Sequence, residues 1–316
     1  MKFRRLGRAG LFVSEIGLGG NTFGKFCDAA ETAAIVHQAL DQGITFIDTA
    51  DSYNGGLSEA YIGQALQGRR DDAIICTKTG WDVGEGPNDQ GLSYHRIIRR
   101  LDASLERLGT DYVDVYYMHR PDPFTPMEES LRAMDDLVRA GKVRYVACSN
   151  FAGWEIATMA GLCERYGYRM PVVSQSLYNI LEREIEQEVI PACDYFGLSV
   201  VPFAPLASGF LTGKYQPDQP VPEGSRGHGN ETWQQRRLTD RNFTAQAVLS
   251  EFATERDHAL TEMALAWLLA QDAVCSVIAG ATSPEQVVAN ARAADWEMTL
   301  SDLAEVDQIL ADAEVK

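Results

Sequence analysis

The chain has 316 residues, 45% of them hydrophobic, and a formal net charge of −17. That apolar content sustains a large buried core and excludes a disordered chain. The acidity repels polyanions and argues against a nucleic-acid partner; its plain reading is a solvated surface. No apolar run is long enough to span a bilayer, and the opening Met1-Lys-Phe-Arg-Arg-Leu-Gly lacks the apolar stretch of a secretion signal. A cytoplasmic protein without a membrane partner is therefore expected. Six cysteines occur, none in C-x-x-C spacing; they read as small buried hydrophobes in a reducing compartment, and no metal site is expected.

In chain order, Phe3–Gly7 and Leu11–Ile16, joined across Gly7-Arg-Ala-Gly10, read as a hairpin, although Val13–Leu18 reads equally as the start of a first barrel strand. Helical periodicity follows over Glu31–Gln42, with Ala33, Ile35, Val36, Ala39 and Leu40 on one face. Three apolar runs then end in polar side chains: Gly43-Ile-Thr-Phe-Ile-Asp48, Ala73-Ile-Ile-Cys-Thr-Lys78 and Tyr112-Val-Asp-Val-Tyr-Tyr-Met-His119. Helical segments separate and follow them at Ser58–Leu66, Tyr94–Leu108 and Met127–Ala140. Further strands are expected at Val143–Cys148, Val172–Gln175, Leu198–Phe203 and Ser276–Gly280. Their helices are expected at Trp154–Tyr166 and Ile185–Phe196, with two more in the tail at Pro284–Ala293 and Ser301–Ala313. An insertion rich in Gly, Pro and charge runs from Ala204 to about Leu238, and loops of that length tend to be functional or mobile.

Alternating strands and helices imply parallel pairing, and eight such units imply closure into a (β/α)₈ TIM barrel with an N-terminal hairpin and extra C-terminal helices, as one domain over 1–316. An open dinucleotide-binding sheet needs G-x-G-x-x-G; Gly17-Leu-Gly19-Gly-Asn-Thr22 puts Thr at the third glycine position.

In a barrel, residues at the C-terminal ends of the strands converge on one face. Asp48, Lys78, His119, Ser149, Asn150, Gln175, Phe203 and Gly280 occupy those ends in turn. A phenol with a pKa of about 10 is a poor acid at neutral pH, and Lys78 beside Tyr53 would lower it. Asp48 can hold Lys78 charged and in place, and His119 can polarise a carbonyl oxygen. Such a group protonates an oxygen as a hydride or carbon nucleophile arrives. Singly, a strand-end lysine is usually a solvated cap and a histidine a satisfied core residue; it is the recurrence at three consecutive strand ends that points to chemistry.

Five segments carry a family resemblance: Asp48-Thr-Ala-Asp-Ser-Tyr53-Asn-Gly-Gly-Leu-Ser-Glu59, Tyr112-Val-Asp-Val-Tyr-Tyr-Met-His-Arg-Pro-Asp122, Val146-Ala-Cys-Ser-Asn-Phe151, Phe203-Ala-Pro-Leu-Ala-Ser-Gly-Phe-Leu-Thr-Gly-Lys214 and Ile278-Ala-Gly-Ala-Thr-Ser-Pro-Glu-Gln286. In this order, over nearly the whole chain, they resemble the aldo-keto reductases. The resemblance implies hydride transfer between extended NADP(H) and an aldehyde or ketone, or the corresponding alcohol, a sugar included. It implies Tyr53 as general acid/base, tuned and oriented by Asp48, Lys78 and His119. It assigns Ser149, Asn150 and Gln175 to the nicotinamide carboxamide and Phe203 to the ring. Leu206, Ser208, Leu211 and Lys214 then fall on the loop over the pyrophosphate, with Arg226 closing on the phosphates. Gly280, Thr282, Ser283, Gln286 and Asn290 fall at the adenosine end, where the helix beginning at Pro284 favours an anion.

Two positions depart from the family pattern. Gln286 stands where some members carry an arginine for the 2′-phosphate, so NADP(H) is expected with NAD(H) as the alternative. Tyr53-Asn-Gly-Gly replaces the common Tyr-Gly. Phe23, Trp81, Arg120 and Trp233 are expected to wall the substrate pocket, while Trp154, Trp267 and Trp296 are expected to pack. The sequence leaves monomer against homo-oligomer open. Two other functions are carried alongside: a lyase or aldolase using Lys78 as a Schiff-base amine, and a non-catalytic subunit that senses cofactor state, as channel-associated members of the family do.

Overall fold

The computed structural model describes residues 1–313. Eight strands run parallel: β1 (Ile16–Gly19), β2 (Phe46–Asp48), β3 (Ile74–Thr79), β4 (Val113–Met118), β5 (Val143–Ser149), β6 (Val173–Leu177), β7 (Ser199–Phe203) and β8 (Val277–Gly280). Consecutive strands pair from β1 through β7, and β8 pairs with β1. The last gap is closed just before β8, where the Val200 amide donates to Ala273 O at 2.8 Å and the Cys275 amide donates to Val200 O at 3.1 Å. The sheet is thereby a closed barrel, as the alternating sequence pattern predicts.

Strand periodicity divides the core in two. Phe46, Cys76, Val115, Tyr117, Ala147, Val173, Val201 and Ile278 face inward and fill the barrel, while Leu18, Ile47, Ile75, Tyr116, Val146, Cys148, Val200, Val277 and Ala279 face the helices. Side chains alternate along a strand, so the next inward positions are Asp48, Lys78, His119, Ser149, Gln175, Phe203 and Gly280. The strand-end residues are thus the top layer of a column whose lower layers are apolar.

The N-terminal hairpin, Phe3–Arg5 paired antiparallel with Phe12–Ser14, puts Leu6 and Val13 into the barrel interior from below. It and β1 are distinct strands broken at Glu15, so both readings of this segment hold in part. Gly7 in the turn sits at φ +55°, and a Cβ there would lie 2.1 Å from Val172 O, so only glycine lets the hairpin seat.

Two helices outside the expected elements lie between the insertion and β8. Asp240–Thr254 and Leu260–Leu269 fill that stretch. In the second, every residue from Met263 to Leu269 is buried, so it shows no polar face and gives no period of 3.6. The insertion itself is organised by Phe210, Tyr215 and Trp233, with Tyr215 and Trp233 ring centroids 4.6 Å apart. Its last part is a helix, Glu231–Arg237, tied down by Arg237 Nη2 to Glu182 Oε2 at 2.7 Å. All six cysteines are buried and unbridged. No helix among the described residues is long and apolar enough to cross a membrane.

Candidate active site

A cavity of about 970 Å³ opens at the C-terminal ends of the strands, the upper end of the usual ligand-pocket range of about 300–1,000 Å³. At its floor Lys78, fully buried, donates from Nζ to Asp48 Oδ2 at 2.5 Å, to Thr49 O at 2.8 Å and to Tyr53 Oη at 3.2 Å. The three ammonium hydrogens are thereby matched to three acceptors. Asp48 Oδ1 in turn accepts from Gln175 Nε2 at 2.8 Å. His119 stands opposite the phenol, its ring edge-on to Tyr53 with centroids 5.8 Å apart.

Tyr53 sits off the strand, on a loop pinned from several sides. The Asp51 amide donates to Lys78 O at 3.1 Å, and Asp51 Oδ2 accepts from Arg100 Nε at 2.8 Å and Thr79 Oγ1 at 3.1 Å. Downstream, fully buried Glu59 takes Arg107 Nη2 at 2.6 Å and Thr77 Oγ1 at 2.5 Å. Asn54, at φ +51°, turns the chain immediately after the phenol, a conformation asparagine tolerates better than most residues. The Asn-Gly-Gly departure therefore changes the turn and leaves the phenol at Lys78.

Burial drives the local acidities. Burial raises the Tyr53 phenol, and Lys78 lowers it only part of the way back, so its pKa stands above the ordinary value. This corrects the expectation that the ammonium alone would bring it down: desolvation wins, and what Lys78 does is limit the rise. Burial also pulls Lys78 down, but Asp48 and Tyr53 outweigh it and the ammonium is held above its usual range. His119 is pushed well below the ordinary imidazole value by burial, then by Lys78 and Arg120, so the ring is neutral at pH 7. Its Nδ1 is buried and has no hydrogen-bond partner among the described residues. Buried orphan N–H groups are rarer than orphan acceptors, which puts the proton on Nε2.

The rest of the cavity wall gathers most of the sequence-nominated residues: Ser149, Asn150, Gln175, Phe203, Leu206, Ser208, Lys214, Arg226, Gly280, Thr282, Gln286 and Asn290. Asn150 is held at φ +63°, with Nδ2 donating to His119 O and Ser149 Oγ, both at 3.0 Å. Ala204, Ala207 and Ser208 also take positive φ. Three of these left-handed residues, Asn150, Ala204 and Ser208, line the cavity, as strained backbone does at functional sites. Arg226 is half-buried, burial pulls its guanidinium below the usual range, and it makes no ion pair or hydrogen bond among the described residues. Lys214 likewise has no ion pair among the described residues and lies over the Tyr215 ring at 5.4 Å.

Several nominated residues lie elsewhere. Leu211 is fully buried in the core. Phe23 is fully buried too, turned inward because its amide closes a turn onto Gly20 O at 3.1 Å. Trp233 packs on Tyr215 inside the insertion. Ser283 caps the helix Pro284–Arg292, its Oγ accepting from the Gln286 amide at 3.4 Å. Of the expected pocket wall, Trp81 lines the cavity, and Arg120 stacks behind it at 4.1 Å from its ring. Asn21, Thr22, Phe26, Thr212 and Thr261 line it without having been nominated. A loop's direction after a strand decides which of Phe23 and Phe26 faces in, and no local pattern signals that. Among the described residues no cluster of His, Cys, Asp or Glu is placed to hold a metal ion.

A family model described as "Aldo/keto reductase family" matches residues 15–311. Among curated proteins, the "Probable voltage-gated potassium channel subunit beta" of Oryza sativa subsp. japonica is 38% identical, the match covering 93% of this chain and 92% of that protein. The "L-glyceraldehyde 3-phosphate reductase" of Escherichia coli K12 is 36% identical, covering 100% of this chain and 94% of its own length. The "Uncharacterized oxidoreductase YrpG" of Bacillus subtilis is 37% identical, covering 91% and 89%.

Proposed function

The chain belongs to the aldo/keto reductase family, and from that premise we propose that it is an NADP(H)-dependent oxidoreductase reducing an aldehyde or ketone, with Tyr53 as proton donor. The observation that carries this reading is the contact of Lys78 Nζ with Tyr53 Oη at 3.2 Å and Asp48 Oδ2 at 2.5 Å, on the floor of a large cavity.

The residues present fit a dinucleotide. Two cations without ion pairs among the described residues, Lys214 and half-buried Arg226, share the cavity in a chain of net charge −17, and partial desolvation of a guanidinium without a counter-charge is unfavourable unless an anion meets it. Ser149, Asn150 and Gln175 would hold the carboxamide, Phe203 the ring face, and Thr282, Gln286 and Asn290 the adenosine end. When bound, the cofactor supplies the hydride to the carbonyl carbon. His119, neutral and protonated on Nε2, donates a hydrogen bond that orients the carbonyl oxygen and draws electron density onto it. Tyr53 Oη gives that oxygen its proton as the alkoxide forms, and Lys78, held charged by Asp48, stabilises the phenolate left behind. One hydride and one proton complete the reduction to the alcohol.

The Schiff-base alternative is disfavoured by the same contact. An amine must be neutral to attack a carbonyl, and Lys78 is held protonated by Asp48. The channel-subunit names belong to relatives as similar as the reductase, 38% against 36%, so similarity does not choose between sensing and turnover; the complete proton-donating set favours turnover. The test is Tyr53→Phe assayed against aldoses, aryl aldehydes, dicarbonyls and ketosteroids with NADPH and NADH. Expected is a loss of about 10²–10⁴-fold in kcat, with NADPH-induced tryptophan quenching preserved. Turnover surviving within a few-fold would remove Tyr53 from the role.

A further inference from the structure

Arg96 is the one arginine of this chain that is almost wholly buried, 1% exposed, yet makes no ion pair among the described residues. It rises from the first turn of the helix Tyr94–Leu108 beneath the loop that follows β3. Its Nη2 donates to Trp81 O at 2.5 Å and its Nη1 to Gly91 O, while Nε has no partner among the described residues. Four residues on, Arg100 is paired with Asp51 in the ordinary way at 2.8 Å. Burial pulls the Arg96 guanidinium below its usual range. A buried cation spent on two backbone carbonyls is an expensive way to fill space, so the carbonyls it holds are informative.

They are the two ends of one loop. Gly80 and Gly91 both have positive φ, +142° and +80°, and the Gly91 amide donates to Gly80 O at 3.3 Å, forming a neck. Just inside that neck stands Trp81, 42% exposed, so burial does not fix it. Its indole lines the cavity and meets His119 edge-on with centroids 6.1 Å apart. Arg120 covers its ring and is itself paired with Asp82 on the same loop at 2.8 Å. Arg120 holds the indole from the solvent side, and Arg96 is the buried side chain that anchors the loop backbone on which the indole is carried.

We propose that Arg96 is a positioning residue for the carbonyl substrate: by clamping the Trp81 and Gly91 carbonyls from below, it holds the Trp81 indole against His119 as one wall of the substrate subsite. This rests on the reductase reading given above. The planar fork of a guanidinium spans two separate carbonyls, whereas an ammonium offers a single point charge, so lysine is expected to substitute only in part.

The test compares Arg96→Met, Arg96→Lys, Trp81→Ala and the double variant Arg96→Met/Trp81→Ala. For an aryl aldehyde, Arg96→Met is expected to raise KM about tenfold with kcat and the NADPH Kd changed less than about twofold, the signature of lost substrate positioning. Arg96→Lys should recover part of that loss. Trp81→Ala should raise KM similarly and the double variant no further, because two residues acting as a unit are not additive. Additive effects, or an NADPH Kd that moves with KM, would overturn the proposal. Should Arg96→Met not fold, Arg96→Lys combined with Trp81→Ala carries the same cycle. Acrylamide quenching of Trp81 emission, taken as the difference between each protein and its Trp81→Phe counterpart, reads the clamp without turnover. It is expected to rise in Arg96→Lys, and an unchanged value would sink the clamp. If the unaltered protein reduces no carbonyl while this quenching still responds, the reductase reading fails and the anchoring of Trp81 stands.

Discussion

The floor of the cavity and its Lys214–Arg226 end treat charge in opposite ways. On the floor, Lys78 and Asp48 are 0% and 2% exposed, and the ammonium has three acceptors within 3.2 Å. At the other end, Lys214 and Arg226 have no counter-charge among the described residues and sit on glycine-rich turns, Gly213 at φ +77° and Gly224 at φ +70°. A charge completed by the protein itself is held in place before any ligand arrives, which suits a group that must meet a reacting atom. A charge left incomplete is finished by what binds. The floor is therefore read as machinery and the far end as a receptor, and substitutions in the two places should differ in kind.

Lys78→Met is expected to have the largest effect, because it breaks the floor from both sides. Removing one partner of a buried pair strands the other, at a cost of about 3–5 kcal/mol of stability, and a Tyr53 phenol without the ammonium loses the contact that limits its rise in pKa. Carbonyl reduction should fall about 10²–10⁴-fold, and the urea midpoint should drop in the absence of cofactor. If the midpoint held while activity vanished, the pair would be catalytic without being structural.

Lys214→Ala and Arg226→Ala should do the reverse. Each is expected to weaken NADPH binding about tenfold, since a charge-assisted hydrogen bond contributes about 1.5–3 kcal/mol. The loss should shrink as salt rises. The ligand-free protein should keep its thermal midpoint, because neither cation makes an ion pair among the described residues. A fall in that midpoint equal to the Lys78→Met effect would erase the distinction between the two regions.

The floor also has a pH signature. Because His119 titrates below the ordinary imidazole range, the unfolded chain binds a proton that the folded chain refuses between that value and about 6.5. Stability is then fully present above about 6.5 and declines as pH falls through this window. The difference in urea midpoint between the native protein and His119→Gln should shrink from pH 7 to pH 5. Tyr53 works in the other sense: its raised pKa keeps the phenol protonated past about 10, so kcat/KM for reduction should stay flat through pH 9. A basic limb appearing near pH 7 would show that Lys78 outweighs desolvation at the phenol during turnover.

How much of this could be read beforehand follows from the range of the forces involved. Barrel, strand order and the floor residues were legible because alternation along a strand is local: Phe46 inward puts Asp48 inward, Cys76 does the same for Lys78, and Tyr117 for His119. The placement of Phe23 in the core and Phe26 on the cavity wall was not legible, because it depends on a turn closed by one amide onto Gly20. Trp233 was misplaced for a related reason. An aromatic in a polar insertion reads as a pocket wall until its partner Tyr215, 18 positions away in sequence, comes into view. The direction of the Tyr53 shift also escaped, since a sequence names the ammonium nearby but not how dry the phenol is.

The smallest expected effect lies at the Gln286 end of the cavity. Gln286 lines the wall, and its Oε1 accepts from the Thr282 amide at 2.9 Å, so the side chain is committed to the loop and offers a ligand only its amide nitrogen. A neutral donor can hydrogen-bond a 2′-phosphate but meets none of its charge, which leaves little to separate NADPH from NADH at this position. Gln286→Arg would restore a planar, charged donor while giving up the bond to Thr282. The NADPH-to-NADH ratio of kcat/KM is expected to rise about three- to tenfold, with NADH itself changed less than about twofold. The same substitution should leave the urea midpoint and the Tyr53-dependent pH profile untouched, since nothing on the floor is in contact with Gln286. A ratio that did not move would mean that the phosphate discrimination lies with the Lys214–Arg226 end instead, and that the two ends of the receptor are electrostatically one.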